Sequence, residues 1–330
     1  MRTIGLMLGF LLVCTAAQAA PKLAIVVQES WNDVFGGKEA VFHVLVGARE
    51  TTRGRLAWRY AAGDKTIARQ EREIDVAPGR SQNVEIRLPV PEVKAGVILN
   101  TTLSVAVNEN GAAQATATLE KTLWVFPPDP FAGRAEWLKE QNFWLFDPER
   151  KTAERFEKSH IPFKRISDVG AFQDVRNGVV VIGEGVSFKV YRGLWDQLMA
   201  VASSGVPVLC LAPAEGSVPL LAPDESAFPA PASLKLEKAA IIRKLDKRLD
   251  AEAWPPDGLI CLRTLTVRGE RGAVIGEMAP PAAGGWPWIE MSGGLPRGRL
   301  IVCCFAVIKK WETGPAPRFL LERVLQYMSE

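Results

Sequence analysis

Two rhythms of apolar and polar residues divide the chain. From Lys22 to about Phe126, apolar residues come in short runs or alternate with polar ones, and little recurs at helical spacing. "KLAIVVQE" and "EAVFHVLVGAR" read as strands; "GRLAWRYAAGDKTIARQEREIDV" reads as two strands around the turn "AAGD"; "SQNVEIRLPV" alternates in and out. Alternation of this kind puts one face of a strand on a core, because successive side chains point to opposite sides. "VILNTTLSVAVNENGAAQATATLEKTLWVF" holds two more strands joined at "NENG", whose Asn and Gly suit a hairpin turn. About seven strands in this span predict an antiparallel β-sandwich of immunoglobulin-like type, without the Cys…Trp…Cys pattern of antibody domains.

The prolines of "FPPDPFAGR" end the last of these strands and mark a stiff linker over 127–134. From 135 to 330 the rhythm changes. "NFWLFDP", "IPFKRI", "NGVVVIGEG" and "VPVLCLAP" are short, nearly continuous apolar runs. Between them lie the amphipathic segment "ERKTAERFEKSH", a short helix or loop "VGAFQDV", and the helix "YRGLWDQLMAVASSG", closed by Gly205. Continuous apolar strands alternating with helices predict a parallel sheet covered on both faces. Toward the end, "KAAIIRKLDKRLDAEAW" reads as a helix, and "GLICLRTLTVRG" and "GAVIGEM" as paired strands around "GERG". "RGRLIVCCFAVIKKW" reads as a core strand and "APRFLLERVLQYMSE" as a closing amphipathic helix.

The first residues change the picture of where the protein works. Arg2 is a short basic start, Ile4 to Val13 an apolar stretch too short to span a bilayer, and "AQA" at Ala17 to Ala19 fits the small-x-small cleavage pattern. Residues 1–19 are therefore expected to be a signal peptide cut after Ala19, which leaves an exported, periplasmic or extracellular chain with no transmembrane segment. A lipoprotein at Cys14 is disfavoured by the bulky Val13 before it. The formal net charge is only +3, with Lys and Arg interspersed among Asp and Glu, which gives no reason to expect a nucleic-acid partner. After cleavage four cysteines remain, Cys210, Cys261, Cys303 and Cys304, all in apolar runs and none at metal-ligand spacing. They read as buried thiols; a bridge from Cys261 to Cys303 or Cys304 stays open if those strands pair. Neither a metal nor a cofactor is expected.

The second half, through "NFWLFDPERKTAERFEKSHIPFKRI", "NGVVVIGEGVS", "LMAVASSGVPVLCLAPAEG" and the late "RGRLIVCCFAVIKKWETGPAPRFLLERVLQYM", resembles a degenerate class I glutamine amidotransferase-like domain, an α/β flavodoxin-like fold. The first half, through "LAWRY", "IDVAPGRSQNVEIRLPVP" and "LEKTLWVF", is similar to the immunoglobulin-like domains of family 2 glycoside hydrolases. Active members of the amidotransferase-like fold carry a nucleophilic Cys on a strained strand-to-helix elbow, with a His and an acid later in the chain. Laid on Pro207 to Ala214, the resemblance puts the nucleophile position at Ala212, with Cys210 two residues deeper in the strand. The only histidines, His43 and His160, both come before it. The resemblance thus implies a pseudoenzyme.

Other residues invite chemistry on their own. Asp147, Glu184 and Glu215 each stand at a predicted C-terminal strand end, and such ends share one edge of a parallel sheet, so their carboxylates could converge for acid–base work. "GEGVS", Gly183 to Ser187, is a Gly-rich exit whose backbone N–H groups and Ser187 could hold an anion or a sugar hydroxyl, though it lacks the full phosphate-loop fingerprint. The plainer reading, which the sequence favours, is that these loops are polar because they are exposed. Trp286 and Trp288, in the Gly/Pro-rich "PPAAGGWPWIEMSGG", read either as an aromatic platform for a sugar or partner or as rings tucked onto the sheet. The function expected first is an exported, non-catalytic binding or scaffolding protein associated with carbohydrate or a partner enzyme. A hydrolase using the strand-end carboxylates, and a cell-envelope assembly protein, are the alternatives.

Overall fold

The alternating segments of the first third fold into eight strands in two sheets. The structure, a computed structural model, describes residues 22–220, 231, 233–269, 285–292 and 298–330. One sheet runs β1-β3-β6, with β1 Leu23–Val27, β3 Glu39–Ala48 and β6 Arg80–Pro89. The other runs β2-β8-β7-β4-β5, with β2 Asp33–Phe35, β4 Thr52–Ala62, β5 Lys65–Val76, β7 Leu99–Glu109 and β8 Ala117–Phe126. Their inward residues, among them Phe42, Leu56, Tyr60, Ile86 and Leu103, form one core. This is the expected sandwich with one strand more: the short "DVF" of β2, too brief to show a period, pairs parallel with the end of β8. Gly54 stands where a Cβ would fall 2.1 Å from the Asn108 carbonyl oxygen, so only glycine lets β4 lie this close to β7.

The second half opens with α1 Ala135–Gln141, a helix too short for its period to show in the chain. After it come β9 Phe143–Phe146, α2 Lys151–Lys158, β10 Phe163–Arg165, a 3₁₀ turn over Gly170–Asp174, β11 Val179–Ile182, α3 Leu194–Ser203 and β12 Val208–Leu211. The remaining elements are β13 Ser217–Leu220, β14 Ser233–Glu237, α4 Ile241–Leu245, β15 Thr266–Gly269, β16 Trp288–Ser292, β17 Arg299–Cys303 and α5 Pro315–Ser329. The main sheet runs β10-β9-β11-β12-β17-β16-β14. Its first five strands are parallel, and β16 and β14 extend it antiparallel. In chain order the parallel part reads 2-1-3-4-5, the doubly wound order whose strands reverse direction of growth between β9 and β11. One face packs under α2, α4 and α5 through Phe156, Ile242 and Leu320, the other under α3 and the 3₁₀ turn through Leu198 and Phe172.

Several expectations about the tail are corrected. The helix expected over "KAAIIRKLDKRLDAEAW" is only α4, because Asp246 leaves helical geometry (φ −152°, ψ 114°) and its carboxylate is taken by Arg248 and Arg323. "TVRG" of β15 pairs in parallel with β13; "GAVIGEM", its expected partner, lies outside the described residues. β17 stops at Cys303, and 304–313 run on as bridges and turns.

The two halves join through buried groups. Phe126 packs on Phe319 with ring centroids 4.7 Å apart. Asn32 and Asp33 donate their backbone N–H groups to Asp250 Oδ2 (2.6 and 2.9 Å), and Asp250 returns its own N–H to Asp33 Oδ2 (3.0 Å). Within the sandwich, Lys121 Nζ donates to Asn32 Oδ1 at 2.7 Å and so supports the residue that meets Asp250.

Candidate functional site

In a doubly wound sheet the ligand crevice lies outside the carboxyl ends of the strands, where the order reverses. Here that edge is formed by the exits of β9, β11, β12 and β17. β9 leaves into Asp147, whose Oδ2 accepts the Ala153 N–H (2.8 Å) and so holds the first turn of α2. Its other oxygen, Oδ1, has no partner among the described residues. Gly183 crosses directly over it: a Cβ there would fall 2.6 Å from Asp147 Oδ1. Burial pushes the Asp147 carboxyl above the ordinary aspartate value, against the N–H groups that favour its charged form.

Glu184 is buried too. Its backbone N–H donates to Thr152 Oγ1 (2.9 Å), and its carboxylate accepts N–H groups from Ile308 (2.9 Å) and Lys309 (3.0 Å). Burial raises this carboxyl as well, with the two amides opposing. The third carboxylate, Glu215, accepts the Ser187 hydroxyl (2.5 Å) and the N–H groups of Phe188 (3.0 Å) and Lys189 (3.3 Å). Partial burial opposes its charge, yet these bonds win and hold it below the usual glutamate value. Asp147, Glu184 and Glu215 therefore stand along one edge, and each is tied to backbone N–H groups of the chain itself. Loop 183–189 is their common member, stitched further by Gly185 N–H to the Ala212 carbonyl (3.0 Å) and Ala214 N–H to the Val186 carbonyl (3.0 Å). Ser187, turned toward Glu215, serves the same closure.

Ala212 comes just after β12 with φ at +27°, a left-handed value that side-chain-bearing residues seldom adopt. Its N–H donates to the Cys303 carbonyl at 2.7 Å, and its methyl is fully buried. The backbone is bent at the residue where the resemblance puts a nucleophile, and the side chain carries no reactive atom. Beyond the bend the chain enters a loop into β13, whereas the elbow of the resembled fold leads into a helix. Cys210 is opposite Ile182 and Val302 in the sheet, and burial alone raises its thiol. The four cysteines among the described residues are free thiols. Cys303 and Cys261 pack on the α5 side of the sheet, Cys304 and Cys210 on the α3 side. Cys261 and Cys303 are each pushed up to about 12, with burial the main cause. His160 precedes β10 at the opposite end of the sheet, and His43 sits in the sandwich with Nδ1 2.6 Å from Glu29 Oε1.

The aromatic platform is not formed. Trp288 opens β16, pairs with Cys303 and Glu237, and points fully buried into the α5-side core. Trp286 bridges Leu265 and packs against the opposite core. Residues two apart on one strand would share a face; the bend at Pro287, just before β16 begins, instead sends the two rings to opposite faces of the sheet, so the indoles share no surface. The edge also uses residues that the pattern of the chain does not single out: Thr152, the amides of 308–309, and Arg263, which donates to the Ala214 carbonyl. Their only sequence signal is position, one turn into a helix or just past a core strand. Two clefts lie elsewhere. One of about 760 Å³ sits at the N-terminal ends of the parallel strands, beside Asn142, Lys164 and Gly178; one of about 780 Å³ sits on the outer face of the five-stranded sheet, beside Ala57, Ser104 and Thr118. Among the described residues no cluster of His, Cys, Asp and Glu is arranged to hold a metal, and no helix is long and apolar enough to cross a membrane.

No protein family and no curated protein matches the sequence. Solved structures resemble about a third of it. The CARDB domain of the PF1109 protein from Pyrococcus furiosus is 12% identical over 32% of this chain and 89% of that one, with a TM-score of 0.25. The C-terminal domain of wzt is 11% identical over 33% of this chain and 76% of that one, with a TM-score of 0.24. A β-glucosidase from Listeria innocua is 7% identical over 32% of this chain and 16% of its own length, with a TM-score of 0.24. The order of strands in the sheets makes the chain a β-sandwich followed by an α/β domain.

Proposed function

We propose that the chain is an exported two-domain binding or scaffolding protein whose α/β domain performs no chemistry, and that it acts beside carbohydrate or an exported partner enzyme. The observation that carries this reading is Ala212: the bend is kept at the nucleophile position, and a methyl group occupies it. A sulfur two residues earlier, in the strand and raised by burial, is no substitute, because the thiolate is the reactive form. Of the carboxylates that could have acted instead, Glu184 and Glu215 are spent on backbone N–H groups, and Asp147 gives one oxygen to Ala153. An immunoglobulin-like domain in front fits a spacer that presents such a unit. The test is a glycan array together with affinity capture from the exported proteins of the producing cell. Saturable binding of a sugar or of one exported partner is the expected result; no ligand in either would count against the reading.

One observation favours a second reading, a hydrolase acting on a sugar-containing substrate. Asp147 keeps one buried oxygen without a partner among the described residues and is raised by burial, as a general acid would be. Its test is turnover of aryl glycosides by the protein and its loss in Asp147→Asn.

A further inference from the structure

The sandwich has free edges, and one is unlike the rest. β5 carries Arg69, Glu71, Arg72 and Glu73 along its rim and β6 has Glu85 and Arg87; β2, the remaining edge, is three residues long and carries Asp33. Charges on an edge discourage another strand from pairing with it. β1, Leu-Ala-Ile-Val-Val, has none, and among the described residues it pairs on one side only, with β3. Lys22 accepts from Arg49, and Gln28 donates to His43, so in the alternating ladder the groups of 22, 24, 26 and 28 face β3. The N–H and C=O groups of Leu23, Ile25 and Val27 face away from it. Outside β1 runs a cleft of about 530 Å³ between this edge and that of β8, walled by Ile25, Val27, Leu119 and Lys121. Val26, on the outer face, is 52% exposed; among the described residues it is the one large exposed apolar side chain that stands in a strand.

We propose that β1 is a self-association edge and that its occupant is β1 of a second copy of this chain, running antiparallel about a two-fold axis at Ile25. The edge is self-complementary in that register. Leu23 meets Val27 of the second copy, Ile25 meets its equivalent, and the outward N–H and C=O groups of all three find partners. On the outer face Val26 lies beside Ala24 of the second copy, which covers both. At the ends Lys22 falls opposite Gln28, so no like charges oppose each other. The two three-stranded sheets become one sheet of twice the width, and neither α/β domain is needed. The inference is thus independent of the proposed function.

Sedimentation equilibrium of the purified protein tests it. The expected mass is twice that of one chain. Val26→Lys sets two like charges across the axis on an already exposed position, and Ile25→Pro removes an N–H that faces only the free edge; each is expected to weaken self-association about tenfold or more. Because a change in β1 can disturb the sandwich, amide exchange at Leu23, Ile25 and Val27 of the unaltered protein is the second readout, with protection that grows with protein concentration as the expected result. A single-chain mass at all concentrations, a dimer indifferent to both substitutions, or concentration-independent exchange at these amides would overturn it.

Discussion

Glu184 is a buried acid with both oxygens accepting backbone N–H groups, from Ile308 and Lys309. Deleting it strands two amides in a desolvated turn, so Glu184→Ala is expected to destabilise the protein by about 2–3 kcal/mol, read as a drop in denaturant midpoint. A carboxylate kept for catalysis would give the opposite result, since removing an unsatisfied buried charge relieves the fold. Ala212 bears on the same question from the backbone. Ala212→Gly, free to take positive φ, is expected to leave stability unchanged or raise it by up to about 1 kcal/mol. Asp33 gives a pH dependence. It is buried beside Asp250, and burial first and the neighbouring charge second raise it well above its ordinary value, with Asp246 adding to the rise and Arg243 and an Asp250 N–H opposing. A raised carboxyl favours the folded state when protonated; that contribution is complete below the ordinary aspartate value and is lost as pH rises through the folded one. Asp33→Asn cannot lose it. The stability of the variant relative to the native protein is therefore expected to increase as pH rises above the ordinary aspartate value, in paired thermal melts.

At the scale of elements, the antiparallel extension of the sheet is pinned to α5 by one polar contact. Tyr327 donates its hydroxyl to Glu290 (3.0 Å), whose carboxylate is buried and also meets Lys235 at 3.3 Å. Tyr327→Phe is expected to cost about 1–2 kcal/mol and to speed amide exchange in β16 ahead of β11, by nuclear magnetic resonance. Elements divide sharply in how readable they are from the chain. The sandwich strands and the parallel strands β9, β11 and β12 announce themselves, because a period of two or an unbroken apolar run is a local property. α2, α3 and α5 do so by their apolar faces. β2 and β14 do not: three residues show no period, and "SLKLE" becomes a strand only because β16 is beside it. The site divides the same way. The positions of Asp147, Glu184 and Glu215 at strand exits follow from sheet order. What each carboxylate holds is less local: Ala153 is near Asp147 in the chain, but Ile308 and Phe188 reach Glu184 and Glu215 only through folding. Trp286 and Trp288 are ambiguous in sequence for a related reason: the start of β16 between them decides which face each ring takes.

Across the whole molecule, the two domains share a reciprocal pair of aspartates and an aromatic contact, so they are expected to unfold together. Asp250→Ala removes the acceptor of both the Asn32 and Asp33 amides and leaves Lys121 and Asn32 without their partner's support; it is expected to split one calorimetric transition into two. The proposed function requires that the carboxyl edge of the α/β sheet be closed by the chain's own carboxylates and do no chemistry, so that the protein acts by binding. The decisive measurement is amide exchange at Ala153, Glu184, Phe188, Ile308 and Lys309, because these N–H groups are the ones the carboxylates and Thr152 hold. A closed edge predicts exchange as slow there as in the central strands β11 and β12. Fast exchange at these amides, slowed on adding a glycoside substrate, would mean an open and working site and would contradict the proposal.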